Sequence, residues 1–125
     1  KNKVWVESQY FEGGEMIETA YEPMASNGRA TFLRVQLITG KTHQIRSHLA
    51  YLGHPVIGDT KYGSKETNEF YRRTFGLQHQ LLHAYQIYFS ELKGTLAELS
   101  GTCIEAPLPE LFTSIITGIG LCQEN

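Results

Sequence analysis

Two strand-like segments joined by a tight-turn signal constrain the fold of this chain more than any other feature of its sequence. Residues 31–38 alternate between apolar and polar side chains, a pattern typical of a half-buried strand. Residues 17–24 alternate more loosely, and Asn27-Gly28 between the two segments favours a hairpin turn because both residue types tolerate positive φ. The sequence therefore predicts an antiparallel pair of strands.

A helix is predicted directly after this hairpin, at residues 43–52. Its apolar residues recur at the spacing of one helix face, Thr42 is a plausible N-cap, and Gly53 follows where such a helix would end. Because the strands follow one another in pairs joined by turns, the predicted class is α+β, with a mixed, mainly antiparallel sheet and two or three flanking helices. The remaining predicted elements are strands at 3–7, 81–89 and 96–104, and helices at 66–75 and 110–119.

The length of 125 residues suits one domain and not two. The leading segment, residues 1–15, is predicted to be weakly anchored. The chain has no initiator Met, so it is interpreted either as processed or as a piece of a longer protein. Neither a membrane helix nor a signal peptide is expected, because no apolar run reaches roughly 18 residues and the first residues are mixed. Cys103 and Cys122 lie in apolar contexts, which predicts two buried free thiols and a cytoplasmic location.

Positive charge is concentrated in the middle of the chain. Residues 29–73 contain eight lysines and arginines against three carboxylates, a net charge of +5 within a chain whose formal net charge is −2. A basic segment inside an acidic chain indicates a surface that faces an anion, although a solvated face of mixed charge would give the same count.

Three kinds of enzyme site find little support in the residue spacing. The Gly-Lys-Thr step at residues 40–42 would need a glycine five residues earlier to form a P-loop, and Val35 stands there. His43 and His48 are five residues apart, so they point away from each other on a helix, and no metal site is predicted. Hydrolase chemistry would need a Gly-x-Ser-x-Gly motif or a cysteine near a histidine, and the sequence has neither.

The start of the predicted helix carries a cluster of hydrogen-bond donors. Such a helix end, with its free backbone N–H groups, attracts a carboxylate or a phosphate, although a generic surface helix remains an alternative. Arg46 lies at the edge of the apolar face and needs a carboxylate, phosphate or carbonyl partner there. The donor side chains are Lys41, Thr42, His43, Gln44 and Arg46.

The run Gly-Lys-Thr-His-Gln-Ile-Arg-Ser-His-Leu at residues 40–49 resembles the Gly-(Arg/Lys)-Thr-His-Gln-Ile-Arg-x-His-Leu signature of RluA-type pseudouridine synthases. Three further blocks resemble the family in the expected order. They are the loop residues 52–59 with 61–63, the Leu-His-Ala step at 82–84, and residues 105–110 with Phe112. The resemblance covers nearly the whole chain, but only the later part of the family's catalytic domain.

The resemblance implies an enzyme that isomerises uridine in RNA without a cofactor. In the family, an aspartate in a His-Arg-Leu-Asp motif starts the reaction, a tyrosine stacks on the flipped base, and an arginine pairs with the aspartate. The single aspartate of this sequence, Asp59, lies in a different motif, and the upstream tyrosine motif has no match. The chain is therefore expected to be a C-terminal fragment that is inactive alone, whose partners are RNA and the missing N-terminal half.

Carried onto this sequence, the resemblance assigns Arg46 the role of keeping the missing aspartate ionised. Leu82 is a candidate wall of the uracil pocket, with a plain core role as the alternative. Asp59 is expected to orient its loop through bonds to neighbouring backbone. The remaining candidate substrate-binding residues are Lys41, Thr42, His43, Gln44 and Tyr62, and Lys61, Arg72 and Arg73 are either phosphate contacts or ordinary surface charge.

A non-catalytic RNA-binding module is the second hypothesis. A free-standing module should blunt an exposed sheet edge with charge or proline, whereas residues 4–6 and 17–21 are apolar. This favours the fragment, and it predicts that the isolated chain dimerises through exposed sheet. Ribosomal RNA is the expected substrate and transfer RNA the alternative; the sequence does not identify the target uridine.

Overall fold

The computed structural model describes residues 3–10, 16–40, 43–88 and 103–121. Within these ranges every strand pairing is antiparallel, and helices flank the strands, so the predicted α+β class is confirmed. In chain order the elements are β1 (Trp5–Tyr10), β2 (Met16–Ser26), β3 (Thr31–Leu37), α1 (Gln44–Tyr51), α2 (Lys65–Phe75), β4 (Gln86–Tyr88), β5 (Cys103–Glu105) and α3 (Glu110–Gly118).

The larger sheet has the order β1-β2-β3, with β2 at its centre. The predicted hairpin joins β2 to β3, and its turn is closed by Asn27, whose Oδ1 accepts the N–H groups of Arg29 and Ala30, each at 2.8 Å. The register shifts between Pro23 and Ala25, a bulge that suits a proline because its nitrogen cannot donate to the ladder. Local turn chemistry thus produced the hairpin as predicted.

The treatment of residues 17–21 as an exposed edge was wrong. These residues lie in β2 and pair with β1, residues 19–21 pair with β3 as well, and Ile17 and Ala20 are buried. The apolar edge is β1 together with the residue before it: Val4, Trp5 and Val6 are 56%, 44% and 54% exposed. The backbone of β1 pairs with β2 over six positions while most of its side chains stay exposed. Whether the leading segment is weakly anchored stays a prediction.

Polar side chains dock α1 onto β2. Gln44 is buried, and its Nε2 donates to the Glu18 carbonyl at 2.8 Å while its Oε1 accepts from the Thr39 hydroxyl at 2.8 Å. His48 is also buried, and its Nδ1 shares a 2.9 Å hydrogen bond with the Thr19 hydroxyl. Burial lowers the pKa of His48, against a smaller opposing effect of the Glu7 carboxylate. Buried polar groups require such partners, so this network fixes the helix against the sheet.

The start of α1 differs from the predicted cap. The predicted N-cap, Thr42, lies outside the described residues, and the helix begins after His43, which adopts a left-handed φ of 54° without a side-chain capping bond. Of the three apolar residues at helical spacing, Leu49 is buried, whereas Ile45 and Leu52 are half-buried. The deepest contacts of α1 are therefore polar, which an apolar pattern could not predict.

The apolar core lies between α2, the segment after it, and α3. Its buried members are Tyr71, Leu77 and Ile115, with Ile115 fully enclosed. Helix α2 has ordinary local signals at both ends: the Ser64 hydroxyl accepts from the Thr67 N–H at 3.3 Å, and Gly76 follows with φ 76°. Half-buried apolar residues complete this core, namely Ile57, Phe75, Leu81 and Ile119.

Strands β4 and β5 form a separate two-stranded sheet. Strand β4 begins later than the predicted strand at 81–89, and most of the strand predicted at 96–104 lies outside the described ranges, which omit residues 89–102. Cys103 is an exposed free thiol, so the prediction of burial was wrong for it; two short strands offer little to cover a side chain. Cys122 lies outside the described residues. Among the helices described, none has the length and apolar character to cross a bilayer.

Candidate functional site

Arg46 and Asp59 form a bidentate ion pair at the centre of the candidate site. The Nε of Arg46 donates to Asp59 Oδ2 at 2.7 Å, and Nη2 donates to Oδ1 at 3.0 Å. The Asp59 side chain is fully buried, and that of Arg46 is 14% exposed. Helix α1 carries the arginine and the loop after it carries the aspartate, so the pair ties the loop to the helix. This carboxylate is the partner that the position of Arg46 required.

The loop around Asp59 is held by its own hydrogen bonds. Asp59 Oδ1 accepts the backbone N–H groups of Lys61 and Tyr62, each at 2.9 Å. Asn68 of α2 donates to the Asp59 carbonyl at 2.8 Å and accepts from the Gly58 N–H at 2.8 Å. The bonds to backbone agree with the loop-ordering role expected of Asp59. The pairing of Asp59 with Arg46 was not predicted, although a lone aspartate near an arginine in need of a carboxylate was a usable signal.

The ion pair changes the acid–base properties of both partners. The Arg46 guanidinium, helped by the N–H groups of Tyr62 and Lys61, lowers the pKa of Asp59 from 3.8 to about 2, against the opposing effect of burial. The carboxylate in turn raises the pKa of Arg46. Asp59 is therefore a permanent anion at neutral pH, and its charge is already committed to Arg46.

An acid titration should detect this pair. Because the pKa of Asp59 is lower in the folded chain, its stabilising effect is complete only well above the ordinary pKa of 3.8, and it is lost as the pH falls from there through about 2. The shift corresponds to about 2 kcal/mol of unfolding free energy. We expect urea unfolding at pH 4.5 and pH 2.5 to show this loss in the unmodified chain and a smaller loss in Asp59→Asn. Equal losses in both would contradict the assignment.

Tyr62 lies beside the ion pair, and three cationic or aromatic side chains contact its ring. The guanidinium carbon of Arg46 is 5.4 Å from the centre of the Tyr62 ring, and Lys61 Nζ is 5.3 Å from it. The exposed ring of His43 meets the half-buried ring of Tyr62 edge to face, with 6.1 Å between centres. We call Arg46, Lys61, Tyr62 and His43 the Tyr62 cluster. Aromatic rings and cations in this arrangement suit a nucleobase and its phosphates.

The other predicted site residues lie outside the Tyr62 cluster or outside the described residues. Gln44 is 3% exposed and its amide holds α1 on the sheet, a position that argues against direct contact with RNA. Leu82 is 41% exposed and lines a cavity of about 1070 Å³ together with Ile45, Leu49 and Val35. Lys41 and Thr42 lie outside the described residues. Their substrate-binding roles stay predictions.

Arg72 and Arg73 share one carboxylate on α2. Glu69 accepts from Arg72 Nη2 at 2.6 Å and from Arg73 Nε at 2.8 Å, and the two arginines lower its pKa to about 2. Both cations are thus partly neutralised within their own helix, which favours the ordinary surface role over phosphate contact. In the part of the chain that the structure describes, no group of three potential ligands could hold a metal ion.

Comparison with known proteins identifies the family. Residues 1–51 match the family described as RNA pseudouridylate synthase. The chain is 36% identical over 89 residues to ribosomal large subunit pseudouridine synthase C of Buchnera aphidicola, which covers 71% of this chain. It is 38% identical over an alignment of 93 residues to tRNA pseudouridine synthase C of Vibrio parahaemolyticus, a match that covers 66% of this chain. To ribosomal large subunit pseudouridine synthase D of Haemophilus influenzae it is 31% identical over an alignment of 114 residues, which covers 85% of this chain.

These matches span 27%, 37% and 33% of the three relatives, so the chain corresponds to about a third of their length. The region matched by the family includes strand β3 and helix α1, which place Arg46, and the longest of these three matches covers 85% of the chain. The order of motifs along the sequence and the similarity to three synthases lead to the same conclusion. The chain belongs to the RNA pseudouridine synthase family, and within it to the RluA type.

Proposed function

We propose that this chain forms the later part of the catalytic domain of an enzyme that isomerises uridine to pseudouridine in structured RNA. The observation that carries the proposal is the geometry of Arg46, which is held by a bidentate bond beside an aromatic, cationic cluster. Relatives named for the ribosomal large subunit and for tRNA support RNA as the substrate. Ribosomal RNA is the first expectation and transfer RNA the second.

The nucleophile of this reaction is proposed to come from outside the chain. Asp59 is the single aspartate of the sequence, and its side chain has no exposed surface. Its two oxygens receive two bonds from Arg46 and two from backbone N–H groups, so the carboxylate has no free approach to a sugar or a base. The chain by itself is therefore expected to be inactive. A second segment bearing the family's His-Arg-Leu-Asp motif would supply the reacting carboxylate.

Within such a site Arg46 would hold the reacting carboxylate in its ionised form. Among the described residues, the Nη1 group of Arg46 has no hydrogen bond, while Nε and Nη2 bind Asp59. A guanidinium within a few ångström favours the charged form of a carboxylate, which keeps it nucleophilic at neutral pH. The Tyr62 cluster would contact the flipped nucleotide or its neighbours through ring stacking and phosphate charge.

Tritium release from RNA labelled at C5 of uridine tests the proposal, because isomerisation replaces that hydrogen. Three samples are compared: this chain, the same reading frame extended upstream, and the extended protein with Arg46→Ala. We expect release only from the unmodified extended protein, with a loss of at least about 100-fold in Arg46→Ala. An extended protein that carries His-Arg-Leu-Asp and still releases no tritium would contradict the proposal.

A non-catalytic RNA-binding module is the second candidate, favoured by the net charge of +5 at residues 29–73 and by the Tyr62 cluster. It predicts RNA binding by the extended protein without tritium release. The exposed apolar residues of β1 weigh against it, since an independent module should protect such an edge. The same edge supports the proposed dimerisation of the isolated chain.

A further inference from the structure

We propose that Asp59 is a positioning residue for the isomerisation: it fixes the side edge of the Arg46 guanidinium and leaves the outer edge for the reacting carboxylate. This inference rests on the proposed function. It assigns Asp59 a role that goes beyond ordering its own loop. The two carboxylates would then share one arginine, one as a permanent anchor and the other as the reacting group.

The bond geometry provides the first argument. A guanidinium is planar and has five N–H donors, which form a side edge at Nε and Nη2 and an outer edge at Nη1 and Nη2. Asp59 occupies the side edge through bonds of 2.7 and 3.0 Å. A bidentate bond to one edge prevents rotation of the plane, so the direction of the outer edge is set before any second carboxylate arrives. Preorganised donors of this kind cost no reorientation during the reaction.

The rigidity of the anchor provides the second argument. A β-carbon at Gly58 would lie 2.2 Å from the His79 carbonyl oxygen, and one at Gly63 would lie 2.4 Å from the Asp59 carbonyl oxygen. Backbone therefore packs tightly on both sides of the aspartate, and Asn68 holds the same turn through two bonds of 2.8 Å. The loop therefore fixes the position of the Asp59 carboxylate, and the carboxylate sets the orientation of the Arg46 guanidinium.

The charge balance provides the third argument. A buried carboxylate without a partner is costly, and so is a guanidinium that is only 14% exposed. The charge of Asp59 balances that of Arg46 when no other group is bound, so the guanidinium keeps one orientation before a second carboxylate arrives. Glu69 offers a contrast, because its side chain is 40% exposed and binds two arginines on the surface of α2. Of the three arginine-paired carboxylates in the described part of the chain, Glu22, Asp59 and Glu69, only that of Asp59 is fully buried.

Turnover by the extended protein tests the positioning role. For Asp59→Asn we expect kcat per folded molecule to fall at least about tenfold, with KM for RNA changed less than about twofold. Because Asp59 acts through Arg46, Asp59→Asn should cause no further loss in an Arg46→Ala background. Glu69→Gln is the matched control and should keep its kcat. Losses that multiply in the double variant, or an Asp59→Asn protein with full kcat, would overturn the inference.

A second measurement uses the unmodified chain and so does not depend on the folding of a variant. In nitrogen-15 NMR spectra, we expect the Arg46 Nε–H to exchange with water at least about tenfold more slowly than that of Arg34, whose contact with Glu22 is 3.8 Å long and exposed. Equal exchange rates would overturn the inference. An inactive unmodified extended protein would end the proposed function and this inference together, whereas an active protein insensitive to Asp59→Asn would end this inference alone.

Discussion

Replacing Arg46 with glutamine should destabilise the chain by about 3 kcal/mol, because it leaves the buried Asp59 carboxylate without its cationic partner. Two backbone N–H donors would remain on Oδ1, but the bond to Oδ2 would be lost. The loop that carries Tyr62 should loosen at the same time. Urea unfolding at pH 7, followed by circular dichroism, measures the difference in free energy.

Arg34→Gln is the matched control for this experiment. Arg34 also pairs with a carboxylate, that of Glu22, but at 3.8 Å and with 68% of the arginine side chain exposed. Exposed pairs contribute at most about 1 kcal/mol, so this variant should unfold close to the unmodified chain. If Arg46→Gln lost no more unfolding free energy than Arg34→Gln, the buried pair with Asp59 would stabilise the fold no more than an exposed ion pair does.

Replacing Gly58 with alanine should destabilise the chain by at least about 3 kcal/mol, through a steric clash added to backbone strain. The new β-carbon would lie 2.2 Å from the His79 carbonyl oxygen and 2.9 Å from a methyl carbon of Leu77. The segment containing His79 cannot retreat easily, because the Leu81 N–H bonds to the Ile57 carbonyl at 2.8 Å. Asp59 follows Gly58 directly, so the ion pair should be displaced as well.

Gly28→Ala separates the clash from the strain. Gly28 has φ +89°, close to the +87° of Gly58, but a β-carbon there would meet no atom within 4 Å. Strain alone should then cost about 1–2 kcal/mol. Thermal unfolding of the two variants, side by side, decides between the two causes. Similar midpoints would mean that the segment around His79 yields readily and that the close packing at Gly58 is not rigid.

Elements with strong local signals were predictable from the sequence. The Asn27-Gly28 turn lies between alternating segments, and those segments pair as predicted. Helix α2 begins after Ser64 and ends at Gly76, near the predicted bounds, because capping and termination depend on neighbouring residues. The start of strand β4 was predicted less accurately, since the ends of a strand depend on its partner and not on its own residues.

The candidate site was predictable only in part. The position of Arg46 indicated that it needed an anionic partner, yet the partner lies thirteen residues further along, across a loop whose path depends on Gly58 and Asn68. Gln44 was predicted to bind substrate, yet it is buried against β2, as is His48. Their partners in β2 lie 25 to 29 residues away in the sequence, beyond the reach of any helical pattern.

By itself, the sequence determined the family, the hairpin and the helices, because ordered motifs and local backbone preferences are properties of neighbouring residues. Only the tertiary structure decided which carboxylate holds Arg46, which face of α1 is buried, and which strand forms the exposed edge. Each of these depends on groups distant in sequence that share a buried hydrogen bond or a strand pairing. Such contacts form only when folding brings the two groups together, so their contribution to stability cannot be read from either stretch of sequence alone.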